Sequence, residues 1–293
     1  MNRTFTYNIT SDDEGKSISF FLREFGFSHH ILVSLKKTPG SVVCNDEPVF
    51  LNTILKKNDI LKIYYTEEGR SENIVPSDIP LDIVYEDEDI MLINKQAKTP
   101  VHPSIRHYEN TIANGLCSYF LKKNESFTFR CINRLDLDTT GLILIAKHAV
   151  SGAILSSDMT KRKIHRQYLA IAEGMTAKTG RICAPIGRAD DSIIERKIDF
   201  ENGDYAVTNY ERLAYNNGYS LIKLKLETGR THQIRVHMNY INHPLPGDYL
   251  YNPVYDKINR QPLHSYRLEF VHPVTKKSME FYAPLPDDFK VFL

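Results

Sequence analysis

The stretch INRLDLDTTGLILIAK occupies residues 132–147 and joins a polar, acidic half to an apolar half. Five apolar residues at 142–146 follow Thr-Thr-Gly and predict a buried strand, so the polar half becomes a loop at the edge of a rigid sheet. Because Arg134 and Asp136 alternate with Leu135, an extended loop directs both charges to one side and packs the leucine inward. A carboxylate held in this way is partly desolvated, and it needs a cation or several hydrogen-bond donors to remain ionised.

A second stretch predicts a strand, a turn and a helix in succession. Residues 221–227 alternate between apolar and polar side chains as in a strand, and Thr-Gly-Arg at 228–230 turns the chain. Thr231 is a suitable N-cap for the helix that follows, which carries apolar residues at Ile234 and Met238.

This helix offers a cation for the acidic loop. His232, Arg235 and Asn239 share the polar face at spacings of three and four residues. The guanidinium of Arg235 is always charged and is the kind of partner that Asp136 requires. Spacing alone leaves the alternative that Asp136 caps a turn and Arg134 pairs with a surface carboxylate.

Composition is typical of a globular protein and sets limits on partners. No apolar run approaches the roughly 20 residues that span a bilayer, and the N-terminus lacks a signal-peptide pattern, so we predict a cytoplasmic protein without a membrane partner. The net charge of +1 means that any nucleic-acid site must be a local basic patch. The four cysteines lie far apart without a C-x-x-C pair, which predicts reduced thiols.

The chain predicts two domains. Residues 1–70 show helical spacing followed by short strands and predict a small α+β unit, and the polar residues 71–80 predict a linker. Residues 81–293 mix strands with a few helices without regular βαβ alternation. This favours an α+β fold with a mixed, mainly antiparallel central sheet flanked by helices.

The two stretches together resemble the RluA-type pseudouridine synthase family. The resemblance lies in Asn-Arg-Leu-Asp-x-x-Thr-Thr-Gly and Thr-Gly-Arg-Thr-His-Gln-Ile-Arg-Val-His-Met, and it runs from about residue 81 to 286. Further motifs follow the family's order: YEDED at 85–89, RQYLA at 166–170, HPLPGD at 243–248, and LH at 263–264 leading into FVHP at 270–273.

The resemblance implies an active-site cleft in the sheet and an enzyme that isomerises uridine in RNA to pseudouridine. Asp136 would be the catalytic carboxylate, and Arg235 would form an ion pair with it. Tyr168 would stack on the target uracil, Ile234 would line the base pocket, and Arg134 would help to displace the flipped nucleotide. Such roles fit the chemistry, because a base must leave its stack to reach a buried carboxylate. No metal or organic cofactor is implied.

Further RNA contacts are predicted on both sides of the cleft. Arg230 precedes the helix and His232 lies in its first turn. A basic run between the predicted helix and strand would contact phosphates through Lys161, Arg162, Lys163, His165 and Arg166. The alternative for this run is a solvated connection between a helix and a strand.

The sequence departs from the family at four positions. Asn133 replaces a usual histidine, Gln96 a proline, Arg166 a lysine and Thr140 a serine. Asn133 affects how the loop is held or which RNA is preferred, and Gln96 frees the backbone of one loop. Neither change removes a residue assigned to catalysis.

Other functions have weaker support. Asp136 and Asp138 could suggest a glycosidase or metal site, but no second acidic motif accompanies them. His232 and His237 lie roughly 140° apart around a helix, so they cannot bind one zinc ion together. A catalytically inactive RNA-binding or ribosome-assembly factor on the same scaffold would be expected to lose the ion pair, yet Arg235 is retained.

Residues 1–70 resemble, more weakly, the S-four-like RNA-binding module, although the helix pair carries His29, His30, Lys36 and Lys37 rather than more arginine and lysine. The alternative is a purely structural domain. The combination of this module with the family predicts large-subunit ribosomal RNA as the target, with transfer RNA as the alternative. The resemblance implies RNA rather than DNA as the partner and a monomer as the default.

Overall fold

The computed structural model of the chain describes residues 2–67, 69, 71, 73–104 and 107–293. Met1, Glu68 and Arg70 of the predicted first domain and Glu72 of the predicted linker lie outside the described residues. The described part of 71–80 contains neither helix nor strand. None of the helices in the described ranges combines the length and apolar character needed to cross a bilayer.

The N-terminal part forms a four-stranded antiparallel sheet with two helices. Its elements are β1 (Asn2–Asn8), α1 (Ile18–Glu24), α2 (His29–Lys37), β2 (Val42–Cys44), β3 (Glu47–Pro48) and β4 (Ile60–Thr66), with the strand order β1-β4-β2-β3. The helices begin where serine side chains cap them, since Ser17 accepts from the amide of Phe20 and Ser28 from that of Ile31. The helices predicted from the spacing of residues 1–70 are confirmed.

Most of the remaining strands form one large sheet, and two of them form a small antiparallel sheet of their own. The elements are β5 (Ile83–Glu86), β6 (Ile90–Lys95), α3 (Ile112–Lys122), β7 (Thr140–Ala146), α4 (Ala149–Thr160), β8 (His165–Glu173), β9 (Thr179–Cys183), β10 (Ile186–Arg188), β11 (Arg196–Ile198), β12 (Val207–Asn216), β13 (Tyr219–Leu226), α5 (Gln233–Tyr240), β14 (Leu263–Val271), β15 (Ser278–Tyr282) and a 3-10 helix (Asp287–Phe292). The nine-stranded sheet has the order β5-β6-β7-β14-β8-β13-β12-β9, with β15 beside β14. Among its described pairs only β7 and β14 are parallel, which confirms the predicted mixed, mainly antiparallel sheet.

The apolar run at 142–146 is buried because both faces of β7 are covered. Leu142 and Leu144 face the core that includes α4, whereas Ile143 and Ile145 face the core that includes α3. A strand covered on both sides has no polar face, which explains the continuous apolar run.

The N-terminal part packs against the body of the protein through α4. Val150 and Ile154 of α4 belong to the hydrophobic core of the N-terminal part. Arg3 of β1 also donates two hydrogen bonds, of 2.7 and 3.1 Å, to the buried carboxylate of Asp89.

Candidate active site

The loop before β7 meets the helix α5 at an ion pair. Nη1 of Arg235 donates to Oδ2 of Asp136 over 3.0 Å. The arginine side chain is 1% exposed, while that of Asp136 is 29% exposed, so the pair has one buried and one accessible member. Leu135 packs into the hydrophobic core beside them. The structure thus brings together the two residues on which the sequence interpretation rested.

Asn133 ties the loop to the sheet. Its Nδ2 donates to the carbonyl of Leu142 at 3.0 Å, and its Oδ1 accepts from the amide of Leu144 at 2.8 Å. The side chain therefore satisfies two buried backbone groups of β7 at once. The residue that departs from the family pattern holds the loop in this chain.

Two cations fasten the same loop through its carbonyl groups. Lys95 is completely buried, and its ammonium donates to the carbonyls of Gln96, Thr99 and Leu137 at 2.9, 3.0 and 2.8 Å. Burial lowers the pKa of Lys95 to about 7, an effect that the charges of the nearby aspartates oppose. Arg260 donates to the carbonyl of Asp138 at 3.0 Å. The sequence interpretation missed both cations.

The start of α5 differs from the prediction. Thr231 is exposed, and the residue before the helix is His232, which adopts a left-handed conformation with φ of 57° and makes no side-chain cap bond. Gln233 instead holds the turn before the helix, because its Oε1 accepts from the amide of Arg230 at 3.0 Å and from the hydroxyl of Thr228 at 2.8 Å. The predicted N-cap at Thr231 is wrong because this buried glutamine reaches back over the turn instead.

Arg235 has a second partner that the sequence did not predict. Asp248 lies in the HPLPGD motif after α5 and accepts from Nε and Nη2 of Arg235 at 2.7 Å each. The guanidinium carbon also lies 5.2 and 5.1 Å from the ring centres of Tyr249 and Tyr251. Burial opposes the charge of Arg235, but the bonds to Asp248 and the charge of Asp136 hold its pKa above the ordinary value.

A cleft of about 1220 Å³ opens in front of the ion pair and continues into a smaller pocket of about 80 Å³. The pocket lies against Asp136 and Arg235 and is lined by Tyr168, Ile234 and Leu263, among others. Tyr168 is almost fully buried, and burial raises the pKa of its phenol, so the ring presents a neutral face. The aromatic and apolar side chains of this lining suit a flat, neutral ring.

Some of the predicted RNA-contacting residues line both the cleft and the smaller pocket: Arg134, Arg166, Arg230 and His232. Burial lowers the pKa of His232, whose Nδ1 lies 3.1 Å from the hydroxyl of Tyr251.

The basic run turns only some of its members toward the cleft. Lys161 and Lys163 are exposed and do not line the cleft. Arg162, which lies between these two lysines, and His165, which follows them, do line the cleft. Arg162 has a left-handed backbone with φ of 59°, which redirects the chain between α4 and β8.

One cluster in the described part of the chain has a geometry that could hold a metal ion. Asp87, Asp89 and His272 offer ligand atoms within 4.8 Å of one another. These groups already bond to protein partners, since Asp87 bonds to His272 and Asp89 to Arg3 and His148. The cluster does not line the cleft.

Comparisons with known proteins identify one family. The family model described as RNA pseudouridylate synthase matches residues 89–240. An uncharacterized RNA pseudouridine synthase of Bacillus subtilis (strain 168), YjbO, is 41% identical over 273 residues, covering 93% of this chain and 96% of that protein. The ribosomal large subunit pseudouridine synthase D of Escherichia coli (strain K12) is 35% identical over 283 residues, covering 91% of this chain and 82% of that protein.

The solved structures show a similar fold. Human RNA Pseudouridylate Synthase Domain Containing 1 superposes with a TM-score of 0.59 at 26% identity, covering 75% of this chain and 86% of that chain.

Proposed function

Since this chain belongs to the RNA pseudouridylate synthase family, we propose that it converts specific uridines of large-subunit ribosomal RNA to pseudouridine with Asp136 as the reactive carboxylate. Family membership makes it an RNA uridine isomerase. The assignment of Asp136 rests on one observation, its 3.0 Å hydrogen bond to the buried Arg235 at the base of the cleft.

The reaction suits a single carboxylate. The bond from C1′ of the ribose to N1 of uracil breaks, the base turns, and C1′ bonds to C5; the C5 proton leaves and N1 takes up a proton. Reactant and product contain the same atoms, so the reaction needs no oxidant or second substrate. An ionised carboxylate that contacts the nucleoside can carry such a step. In the part of the chain that the structure describes, only one oxygen of Asp136 accepts a hydrogen bond from a side chain, which leaves the other for the substrate.

The pocket accepts a base that has left its stack. Tyr168 provides an aromatic surface on which the uracil stacks, and Ile234 forms an apolar wall. Arg134 is exposed at the mouth of the pocket, where its side chain fills the space that the flipped nucleotide leaves.

Basic side chains around the cleft bind the RNA backbone. Arg166 and Arg230 stand on the walls of both cavities, and His232 adds a polar contact. Lys161 and Lys163 lie outside the lining and contact RNA only where it extends beyond the cleft.

We propose large-subunit ribosomal RNA as the target because several relatives at 35–41% identity are named ribosomal large subunit pseudouridine synthase D. The division at residues 71–80 and an S-four-like role for residues 1–70 belong to the same proposal. The exposed His29, His30, Lys36 and Lys37 of α2 would bind RNA there. The protein would act as a cytoplasmic monomer on RNA rather than DNA.

The test measures release of tritium from C5 of uridine in RNA. Large-subunit ribosomal RNA and transfer RNA transcripts are incubated with the wild type, with Asp136→Asn, and with Asp138→Asn as a matched control from the same loop whose side chain does not line the cleft. We expect release from ribosomal RNA by the wild type and the control, and none by Asp136→Asn. Release from transfer RNA alone would overturn the target, and an active Asp136→Asn would overturn the assignment of the carboxylate.

A further inference from the structure

Asp248 holds both lateral donors of the arginine that faces the reactive carboxylate. It is completely buried, and its Oδ1 also accepts from the amides of Leu250 and Tyr251 at 3.1 and 3.3 Å. Its carboxylate is therefore fixed by the backbone before it contacts Arg235. The two 2.7 Å bonds to Nε and Nη2 form a parallel, bidentate pair.

This pairing decides what Arg235 can offer to Asp136. With Nε and Nη2 bound to Asp248, one nitrogen, Nη1, remains directed at Asp136. The rings of Tyr249 and Tyr251, each about 5 Å from the guanidinium carbon, restrict its movement further. Asp136 consequently receives one hydrogen bond from Arg235 instead of a bidentate pair.

The charges of the three groups also favour an accessible Asp136. One guanidinium pairs with two carboxylates, so one formal negative charge is left over. Of the two carboxylates, Asp136 is the accessible one and lines the pocket. Without the anion at position 248, Arg235 could rotate and bind both oxygens of Asp136, as arginine prefers with carboxylates. That arrangement would occupy the oxygen needed by the substrate.

We propose that Asp248 is a positioning residue for pseudouridine formation, which limits Arg235 to a single hydrogen bond and so keeps one oxygen of Asp136 available to the nucleoside. This inference rests on the proposed role of Asp136. It assigns Asp248 an effect on the chemical step and none on RNA binding, because Asp248 does not line the cleft.

The test separates kcat from KM. Asp248→Asn keeps the shape and an acceptor for the two amides but turns an N–H group toward a donor of Arg235. Asp248→Ser is a smaller second variant whose hydroxyl can accept from the same amides. Asp89→Asn is the matched control, because Asp89 also binds an arginine through two hydrogen bonds and is buried, but lies outside the cleft lining.

We expect kcat on the ribosomal RNA transcript to fall about 100-fold in both Asp248 variants with KM unchanged, since small displacements of reacting groups have effects of this order. Asp89→Asn should lose stability and keep the wild-type kcat. A folded Asp248 variant with wild-type kcat overturns the proposal, and so does failure of both variants to fold where Asp89→Asn folds, since Asp248 would then be structural. Parallel assays of Asp136→Asn identify the level of failure: if that variant is active, the proposed function fails as well.

Discussion

Replacing Lys95 by methionine tests how the reactive loop is held. Methionine matches the length of the lysine stem but cannot donate to the three carbonyls that the ammonium binds, one of which belongs to Leu137 in the loop. We expect kcat to fall about 10- to 100-fold, because the loop that carries Asp136 loses an anchor directly behind it. Lys95 should also make the free energy of unfolding depend on pH.

The magnitude follows from the pKa of Lys95, which burial lowers from 10.5 to about 7. Between these values the unfolded chain keeps a proton that the folded chain has released, so the free energy of unfolding rises with pH. Each pKa unit corresponds to about 1.4 kcal/mol, which gives about 5 kcal/mol over the whole window and about 2 kcal/mol between pH 7 and 9. The dependence fades as pH falls through the folded pKa, and about one unit below it both states bind the proton.

The assay is urea unfolding of the wild type and Lys95→Met in buffers of about pH 6, 7, 8 and 9. The wild type should gain about 2 kcal/mol relative to the variant between pH 7 and 9 and less than about 0.5 kcal/mol between pH 6 and 7. Lys122→Met, which removes a lysine whose side chain is 62% exposed, is the control and should show no such gain. A difference between wild type and Lys95→Met that stays constant from pH 7 to 9 would refute the reasoning, because Lys95 would then titrate alike in both states.

Two further substitutions test how the loop joins the sheet. Gly141→Ala should destabilise the fold by about 3 kcal/mol in thermal unfolding. Gly141 has φ of 105°, and a Cβ there would lie 2.3 Å from the carbonyl oxygen of Ser265. An unchanged midpoint of unfolding would contradict the close packing of β7 against β14. Asn133→Ala should cost about 1 to 3 kcal/mol in urea unfolding, because the amide of Leu144 loses its buried partner while the carbonyl of Leu142 keeps the hydroxyl of Ser265. A loss below about 1 kcal/mol, the net contribution of one ordinary hydrogen bond, would show that water replaces the amide.

The elements that could be predicted from sequence depend on local pattern. The strand at 142–146 follows from its unbroken apolar run, and α5 follows from the spacing of Ile234 and Met238, both of which the structure buries. The contact between Asp136 and Arg235, 99 residues apart, could be anticipated because a motif resemblance linked the two stretches.

The missed features depend on contacts that a local pattern does not contain. Lys95 reaches the carbonyl of Leu137 from 42 residues away, and lysine in a strand normally indicates a solvated position. Asp248 was visible in a motif, but its two bonds to Arg235 exist only because the chain after α5 folds back along the helix. The direction of the basic run was unpredictable for a different reason, since a left-handed conformation at Arg162 is rare for a residue other than glycine.

The position of the site follows from the single parallel pairing among the described strands of the large sheet. Because β7 and β14 run the same way, the loop that enters β7 and the start of β14 at Leu263 lie at the same end of these two strands. β8 runs antiparallel to β14 and places Tyr168 opposite Ser265, so the aromatic ring lies near that same end. The parallel pairing spans only two residue pairs, and Gly141 permits the close approach to Ser265 within it. The glycine of the Thr-Thr-Gly motif therefore does more than begin a strand: it brings the Asp136 loop against the strand pair that carries the walls of the base pocket.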